Sequence, residues 1–336
     1  MKKKVTIQDI ARTANVSKST VSRVLNGNAP VNEAKKKAVL AAIDELDFQP
    51  NILARGLAGG RSMTIGIITQ NIGSSFYDRI THGITSEFSG TDYTPIIVDG
   101  QWMGEQEENA IQTLLGRQVD GLILVGGTVS SEFLTQVQNS KPLVILARLV
   151  PELSDYCIYV DNYQGAYSAT KYLIDAGHKE IAHVTGIKTH QDSIRRCEGY
   201  KQALIDAGIE PNEELIVEGS FSGQSGVLAM ESLLMRGVNF TAVFVSNDEM
   251  AQGARLALYR RSIRVPEDVS LVGFDDQPNS TYMTPPLTTM RQPAIEMGQK
   301  AALAIMNMLA DSDYNSPETT VVVSELVIRE SVIARR

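Results

Sequence analysis

The sequence predicts a small all-α head of the helix-turn-helix type on a larger α/β body of two doubly wound, parallel-sheet subdomains. Three observations carry this. Up to Phe48, apolar residues recur at helical spacing in three short runs. From Met63 onward, apolar strand-like runs alternate with amphipathic helical ones. Charge divides along the same line: residues 1 to 61 hold eleven Lys and Arg against five acids, a net of +6, while the other 275 residues carry −14 of the overall −8.

Thr6 is an N-cap candidate with Asp9 three positions on as the acidic half of a capping box, and Ile7, Ile10, Ala11 and Ala14 follow on one face. This first helix is expected to end near Asn15. Val16 fills the turn and Ser17 caps the next helix. From Lys18 the side chains segregate, with Val21, Val24 and Leu25 on one side and Lys18, Ser19, Ser22 and Arg23 on the other. Pattern alone fits any amphipathic helix pair whose polar side meets water; the basic charge of this segment points instead to DNA. A basic head on an acidic body binds phosphates locally without making the whole chain adhere to nucleic acid. Val31 to Phe48, with Val39, Ala42, Ile43 and Leu46 on one face, reads as a third helix stopped by Pro50.

Next, Asn51 to Ala58 is a short helix-capable run followed by Gly59 and Gly60, where a domain boundary is expected. It is too short to be helical alone, and Gly56 costs it about 1 kcal/mol relative to Ala. The body then supplies the strands TIGIIT, PIIVDG, VDGLILVG, PLVILA, IYVDN, IAHVTG, LIVEG, AVFVSND and VSLVGFDD. Helical stretches between them include Glu105 to Leu115, Gly165 to Ala176, Cys197 to Ala207, Gln224 to Leu234 and Met250 to Tyr259. Near-continuous apolar strands with helical crossovers mean parallel sheets covered on both faces, and there are too many for one sheet of usual size. Ligands bind beyond the carboxyl ends of such strands, where Asn71, Arg148, Asp161, Asn247, Asp248, Asp275 and Asp276 cluster.

Several function classes find no support. The start, MKKKVTIQDIART, has no apolar leader-like run and nowhere do 18 apolar residues run together, so the expectation is a cytoplasmic protein that does not span a membrane. Cys157 and Cys197 lack metal or redox spacing, and His82, His178, His183 and His190 form no ligand motif, so no metal is expected. There is no GxGxxG after the first strand, no Walker A sequence, and no nucleophile-base pattern; neither a cofactor nor an enzymatic activity is expected.

In the order TIQDIARTANVSKSTVSRVLN, NILARGLAGG, VDGLIL, LIDAGHKEIAHVTG, TAVFVSNDEMAQGA, VPEDVSLVGFDD and PPLTTMRQP, the chain resembles the lactose-repressor/galactose-repressor family of bacterial transcription regulators over essentially its whole length. The resemblance implies a helix-turn-helix domain over 1–50, a hinge helix and linker over 51–61, and a periplasmic-binding-protein-like effector and dimerisation domain over 62–336. Its N-subdomain would comprise 62–161 and 291–323 and its C-subdomain 162–290 and 324–336, with crossovers near Val160 to Tyr163, Thr289 to Gln292 and Val323 to Leu326. It also implies that Lys18, Ser19 and Arg23 read bases in the major groove while Thr6, Thr20, Ser22 and Asn26 meet phosphates. The chemistry agrees, since Arg pairs bidentately with guanine and Lys donates to it. In the hinge, Leu57 would wedge a base step of the minor groove beside Ala54 and Arg55, or, on the plainer alternative, pack on the body as a linker residue. Gly56 departs from the small non-glycine residue usual there.

Carried over position by position, the effector candidates are Phe76, Arg148, Arg196, Phe221, Asn247 and Asp275. A carboxylate, an amide and two guanidinium groups suit sugar hydroxyls, and an aromatic ring covers an apolar sugar face, so a mono- or disaccharide is the expected effector. A purine between Phe76 and Phe221 is the alternative. Asn247 and Asp275 also read as helix caps, Phe221 as a core aromatic and Arg148 as a partner of Asp161. Ser75 replaces a proline common before the aromatic pair. The expected whole is a homodimeric repressor of carbohydrate-utilisation genes on a palindromic operator of double-stranded DNA, controlled allosterically by a sugar between the subdomains. No leucine-heptad tail follows LVIRE, so a dimer rather than a tetramer is expected.

Overall fold

The structure is a computed structural model that describes residues 5–26, 31–48, 61–311 and 320–335. It divides into two units, residues 1–63 and 64–336.

In the first unit, α1 (Ile7–Thr13), α2 (Lys18–Asn26) and α3 (Glu33–Glu45) enclose a core of Ile10, Ala11, Val21, Val39 and Ala42. The Thr6–Asp9 capping box is formed, with the Thr6 amide donating to Asp9 Oδ2 at 3.0 Å. Ile7, placed with the apolar face by spacing, is 39% exposed because it sits at the first turn, beyond the end of the three-helix contact. The third helix stops earlier than Pro50 demands: Leu46 closes it and Asp47 adopts a left-handed φ of 47°. An aspartate tolerates that conformation at a helix end better than most residues.

The second unit contains two six-stranded sheets. The first holds β1 (Thr64–Thr69), β2 (Thr94–Asp99), β3 (Gly121–Val125), β4 (Leu143–Leu146), β5 (Cys157–Val160) and β11 (Thr320–Val322), in the order β11-β5-β4-β3-β1-β2 and parallel throughout. The second holds β6 (Ile181–Thr185), β7 (Ile216–Glu218), β8 (Ala242–Val245), β9 (Ser270–Asp275), β10 (Thr288–Arg291) and β12 (Glu325–Val327), in the order β12-β10-β9-β8-β6-β7. Helices α4 (Ser75–Phe88), α5 (Gly104–Gly116), α6 (Ser131–Gln138) and α11 (Ala294–Ala310) belong to the first sheet. Helices α7 (Asn162–Asp175), α8 (Gln191–Asp206), α9 (Gly223–Met235) and α10 (Asp248–Arg260) belong to the second.

These are the two doubly wound subdomains, with one departure from parallel order. β12 runs antiparallel to β10. The chain passes from β11 to β12 through residues 323–324 alone, with no helical crossover. A strand that continues straight out of one sheet enters the facing sheet from its carboxyl edge and so runs against its neighbours.

Close helix packing stiffens each half. α4 and α11 meet where Gly83 faces the Ile295 carbonyl and Gly298 the Ile80 carbonyl; a Cβ on either glycine would lie 2.2 Å from that oxygen. The chain passes between the two sheets after β5, after β10 and after β11. The carboxyl ends of both sheets therefore border one cleft.

Candidate functional site

On α2, Val21 is fully buried and Val24 and Leu25 pack inward, which leaves Lys18, Ser19 and Arg23 exposed on the opposite face. Thr20 and Ser22 are half-buried at its margins. Ser17 Oγ accepts from the Thr20 amide at 3.2 Å and lies 2.8 Å from Ser19 Oγ, so the first turn is held before any partner arrives. The Thr6 hydroxyl donates to Asp9 Oδ2 at 2.7 Å. The Asn26 side chain and the hinge residues Ala54, Arg55 and Leu57 lie outside the described residues.

In the body, five of the six effector candidates, Phe76, Arg196, Phe221, Asn247 and Asp275, line one cleft. α8 begins at Gln191, six residues before the helix expected from Cys197, and so carries Asp192 and Arg196 on its first two turns. Arg196 is 4% exposed. Its Nε donates to Asn162 Oδ1 at 2.8 Å, its Nη1 to the Ser246 carbonyl, and its guanidinium lies 3.8 Å from the Phe274 ring centroid. Two nitrogens and one face are thereby fixed, which aims the cation at the cleft.

Asp275 ends β9 at φ 115°, and Phe221 sits just before α9 at φ 60°. Side chains rarely adopt either conformation, at a cost of about 1–3 kcal/mol each, and such strain clusters where a group must be aimed. Asp275 Oδ1 accepts from Gln292 Nε2 at 2.6 Å, and Oδ2 from Gln277 Nε2 at 3.4 Å. It caps no helix. Burial pushes its carboxyl up to about 7; Arg196 opposes the rise and Asp248 adds to it. Asn247 does cap α10, accepting from the Met250 amide at 2.9 Å, and its Nδ2 also donates to the Phe221 carbonyl at 3.0 Å. The cap thus positions the aromatic. The Phe221 ring lies over Gly186, where a Cβ would come within 1.9 Å of it.

The aromatic wall is larger than the sequence indicated. Trp102 stacks on His190 with centroids 4.3 Å apart, and His190 lies near-parallel to Phe221 at 6.1 Å. Phe76 is mostly core, 8% exposed and edge-on to Tyr77 at 5.3 Å. Trp102, His190, Asp192 and Gln292 all line the cleft and were not singled out as ligands. A signal was available for each: Trp102 follows the strand PIIVDG, His190 and Asp192 follow IAHVTG, and Gln292 lies in an expected crossover.

Arg148 stands apart. It lines neighbouring cavities with Asp192, and its Nη2 donates to the Val129 carbonyl at 2.7 Å. No bond joins it to Asp161, whose carboxylate accepts from the Gln164 amide at 3.0 Å as the cap of α7. Burial lowers its pKa, and its Nη1 is buried without a partner among the described residues.

Among the described residues, contacts that cross the cleft include the Trp102–His190 stack, Ser74 Oγ donating to Glu249 Oε1 at 3.0 Å, and Arg79 Nη1 donating to the Asp276 carbonyl at 2.9 Å. Asp276 itself is bound by Arg329 at 2.6 Å and Arg291 at 2.7 Å. Burial works against its charge, yet the two guanidinium groups outweigh it and hold the carboxyl below its usual range.

Comparison with known proteins places these features together. Residues 6–51 match the model of bacterial regulatory proteins, lacI family, and residues 170–332 that of a periplasmic binding protein-like domain. The chain is 36% identical to the HTH-type transcriptional regulator AscG of Escherichia coli (strain K12), over 98% of both chains. It superposes on the lac repressor dimer bound to operator and the anti-inducer ONPF with a TM-score of 0.89 at 29% identity, covering 99% of this chain and 100% of the other. It matches the transcriptional regulator CelR–cellobiose complex with a TM-score of 0.73 at 32% identity, covering 97% and 99%. These proteins are regulators rather than enzymes. Among the described residues no helix is long and apolar enough to cross a membrane.

Proposed function

The chain belongs to the lacI family of bacterial regulatory proteins and is a DNA-binding transcriptional regulator; from that premise we propose that it is a cytoplasmic, dimeric repressor of carbohydrate-utilisation genes whose operator affinity is set by a sugar in the inter-subdomain cleft. The observation that carries the effector class is the buried floor of the cleft. Arg196, Asn247, Asp275 and Gln292, all buried, bring a cation, two amides and a carboxyl into one pocket that Phe221 also lines. A pyranose needs this combination, because each hydroxyl both donates and accepts while its C–H face packs on an aromatic.

Lys18, Ser19 and Arg23 read bases and Thr6, Thr20, Ser22 and Asn26 set the register on phosphates, in each half of a palindrome. Leu57, with Ala54 and Arg55, completes the contact in the minor groove between the half-sites. The contacts that cross the cleft support relative subdomain orientation as the switched element. A ligand shifts operator affinity by its differential affinity for the two orientations, typically about 1–3 kcal/mol.

A purine or nucleoside is the second reading, favoured by the near-parallel Phe221 and His190 rings, 15° apart. The test is to select a palindromic operator from random DNA and titrate the complex with saccharides and purines, reading fluorescence anisotropy. A saccharide should shift the operator Kd about 5- to 150-fold. A shift by purines alone would replace the effector class, and failure to select any preferred sequence would overturn the operator reading.

A further inference from the structure

Asp275 and Asp276 divide two tasks between adjacent positions. Asp275 lines the cleft, whereas the Asp276 carboxylate is taken up by Arg291 at 2.7 Å and Arg329 at 2.6 Å. The chain leaving β10 repeats the pairing: Gln292 donates to Asp275 Oδ1 at 2.6 Å, and Arg291, one residue earlier, binds Asp276. Arg329 follows β12 and also donates to the Leu287 carbonyl, just before β10, at 2.7 Å. The cleft carboxyl is thus fastened, through its neighbour, to β10 and β12, where two of the three passages between the subdomains begin or end.

The Asp276 carbonyl reaches the other way. It accepts from Arg79 Nη1 at 2.9 Å, and Arg79 stands on α4 in the N-subdomain. The same helix carries Phe76 and Tyr77 into the cleft and packs on α11 at Gly83 and Gly298 with no room for a Cβ, so a pull on Arg79 moves that wall as a body. Asp275 and Asp276 share one peptide plane and hold φ values of 115° and 52°, where residues with side chains are rarely found. Turning one therefore turns the other. Because the acceptor on Asp276 is backbone, the bond reports where this turn sits rather than a side-chain rotamer.

We propose that Arg79 is the positioning residue that couples the cleft to the N-subdomain: its bond to Asp276 forms in one subdomain orientation only, and a ligand on Asp275 decides whether that bond is kept. This rests on the ligand-controlled reading above and names its regulation. A ligand hydroxyl on Asp275 shares that carboxyl with Gln292 and Gln277, re-aims it and tilts the shared peptide. Hydrogen bonds weaken steeply with misalignment, so a small tilt is enough to favour one orientation. Arg79 lines none of the cavities along the cleft, so its removal leaves the ligand contacts in place. If Arg79 were one more stabilising contact and nothing else, its loss would lower the melting temperature and leave the response to ligand unaltered.

The test is operator titration of the full chain by fluorescence anisotropy on the selected palindrome, without ligand and with saturating D-glucose, D-galactose, cellobiose or lactose, alongside calorimetry of sugar binding. One of these sugars should shift the native operator Kd about 5- to 150-fold. Arg79→Met keeps the apolar stem and loses the donor; it should cut that shift to about twofold or less, with the sugar Kd held within about tenfold of native. Arg79→Gln, too short to span the cleft, gives the same reading if Arg79→Met does not fold. A native-sized shift in the variant, or a shift lost only because the sugar no longer binds, overturns the role of Arg79 and leaves the effector reading intact. No shift of the native Kd by any of the four sugars overturns both.

Discussion

Trp102 and His190 come from opposite sides of the cleft and stack at 4.3 Å with 24° between their planes. Trp102 is also the single tryptophan of the chain, so its emission reports on this one contact. Burial holds the His190 pKa below its ordinary 6.5, and the ring is therefore neutral at pH 7. An imidazolium against an indole face quenches emission, so acidification should dim Trp102 with a midpoint below 6.5. His190→Gln should remove that step, and an unchanged pH profile in the variant would show that the two rings do not meet in solution.

The buried carboxyl of Asp275, proposed above as a ligand group, lowers stability when it is charged. Its folded pKa of about 7 lies above the ordinary 3.8, so the folded state binds the proton more tightly, and stability rises as pH falls from above 7 to below 3.8. The penalty is thus fully present at alkaline pH, and three units correspond to at most about 4 kcal/mol. Asp275→Asn keeps the acceptor for Gln292 and removes the buried charge. Its melting temperature should exceed the native one at pH 8, with the gap closing towards pH 4, while sugar binding is lost. A variant less stable than native at pH 8 would contradict this account of the carboxyl.

What could be read from the sequence, and what could not, follows from the range of the forces involved. The core strands were legible because a strand buried on both faces is apolar almost throughout, as LVIL of β4 is. Arg196 was legible only through family resemblance: helical spacing placed the helix start after it, since the polar first turn HQDSIRR shows no apolar period. The stop of α3 at Asp47 rather than Pro50 depends on a single backbone conformation that aspartate permits and does not demand. Trp102 and His190 stack although 88 positions separate them, and no local pattern reports a contact made only when two subdomains meet.

Glu249 binds Ser74 across the cleft and lines none of the cavities along it, so it tests the clamp without touching the ligand. A half-buried hydrogen bond of this kind contributes about 1 kcal/mol, roughly fivefold in the balance between subdomain orientations. Glu249→Ala should therefore weaken sugar binding about fivefold by calorimetry and enlarge the radius of gyration of the unliganded protein. An unaltered Kd together with an unaltered scattering curve would mean that this contact does not bias the switch.

Arg23 tests the DNA-binding unit. It is exposed on the face of α2 opposite Val21, so truncation removes the proposed base contact without disturbing the helical core. Base and phosphate roles separate by what else changes: a base contact is lost only on the correct sequence, whereas a phosphate contact is lost on every sequence and lowers the salt dependence. Arg23→Ala should weaken binding to the selected palindrome by about 1–3 kcal/mol per half-site, with little change on random DNA and an unchanged salt slope. Equal loss on both DNAs, with a shallower slope, would move Arg23 from the bases to the backbone and leave Lys18 and Ser19 as the readers on this helix.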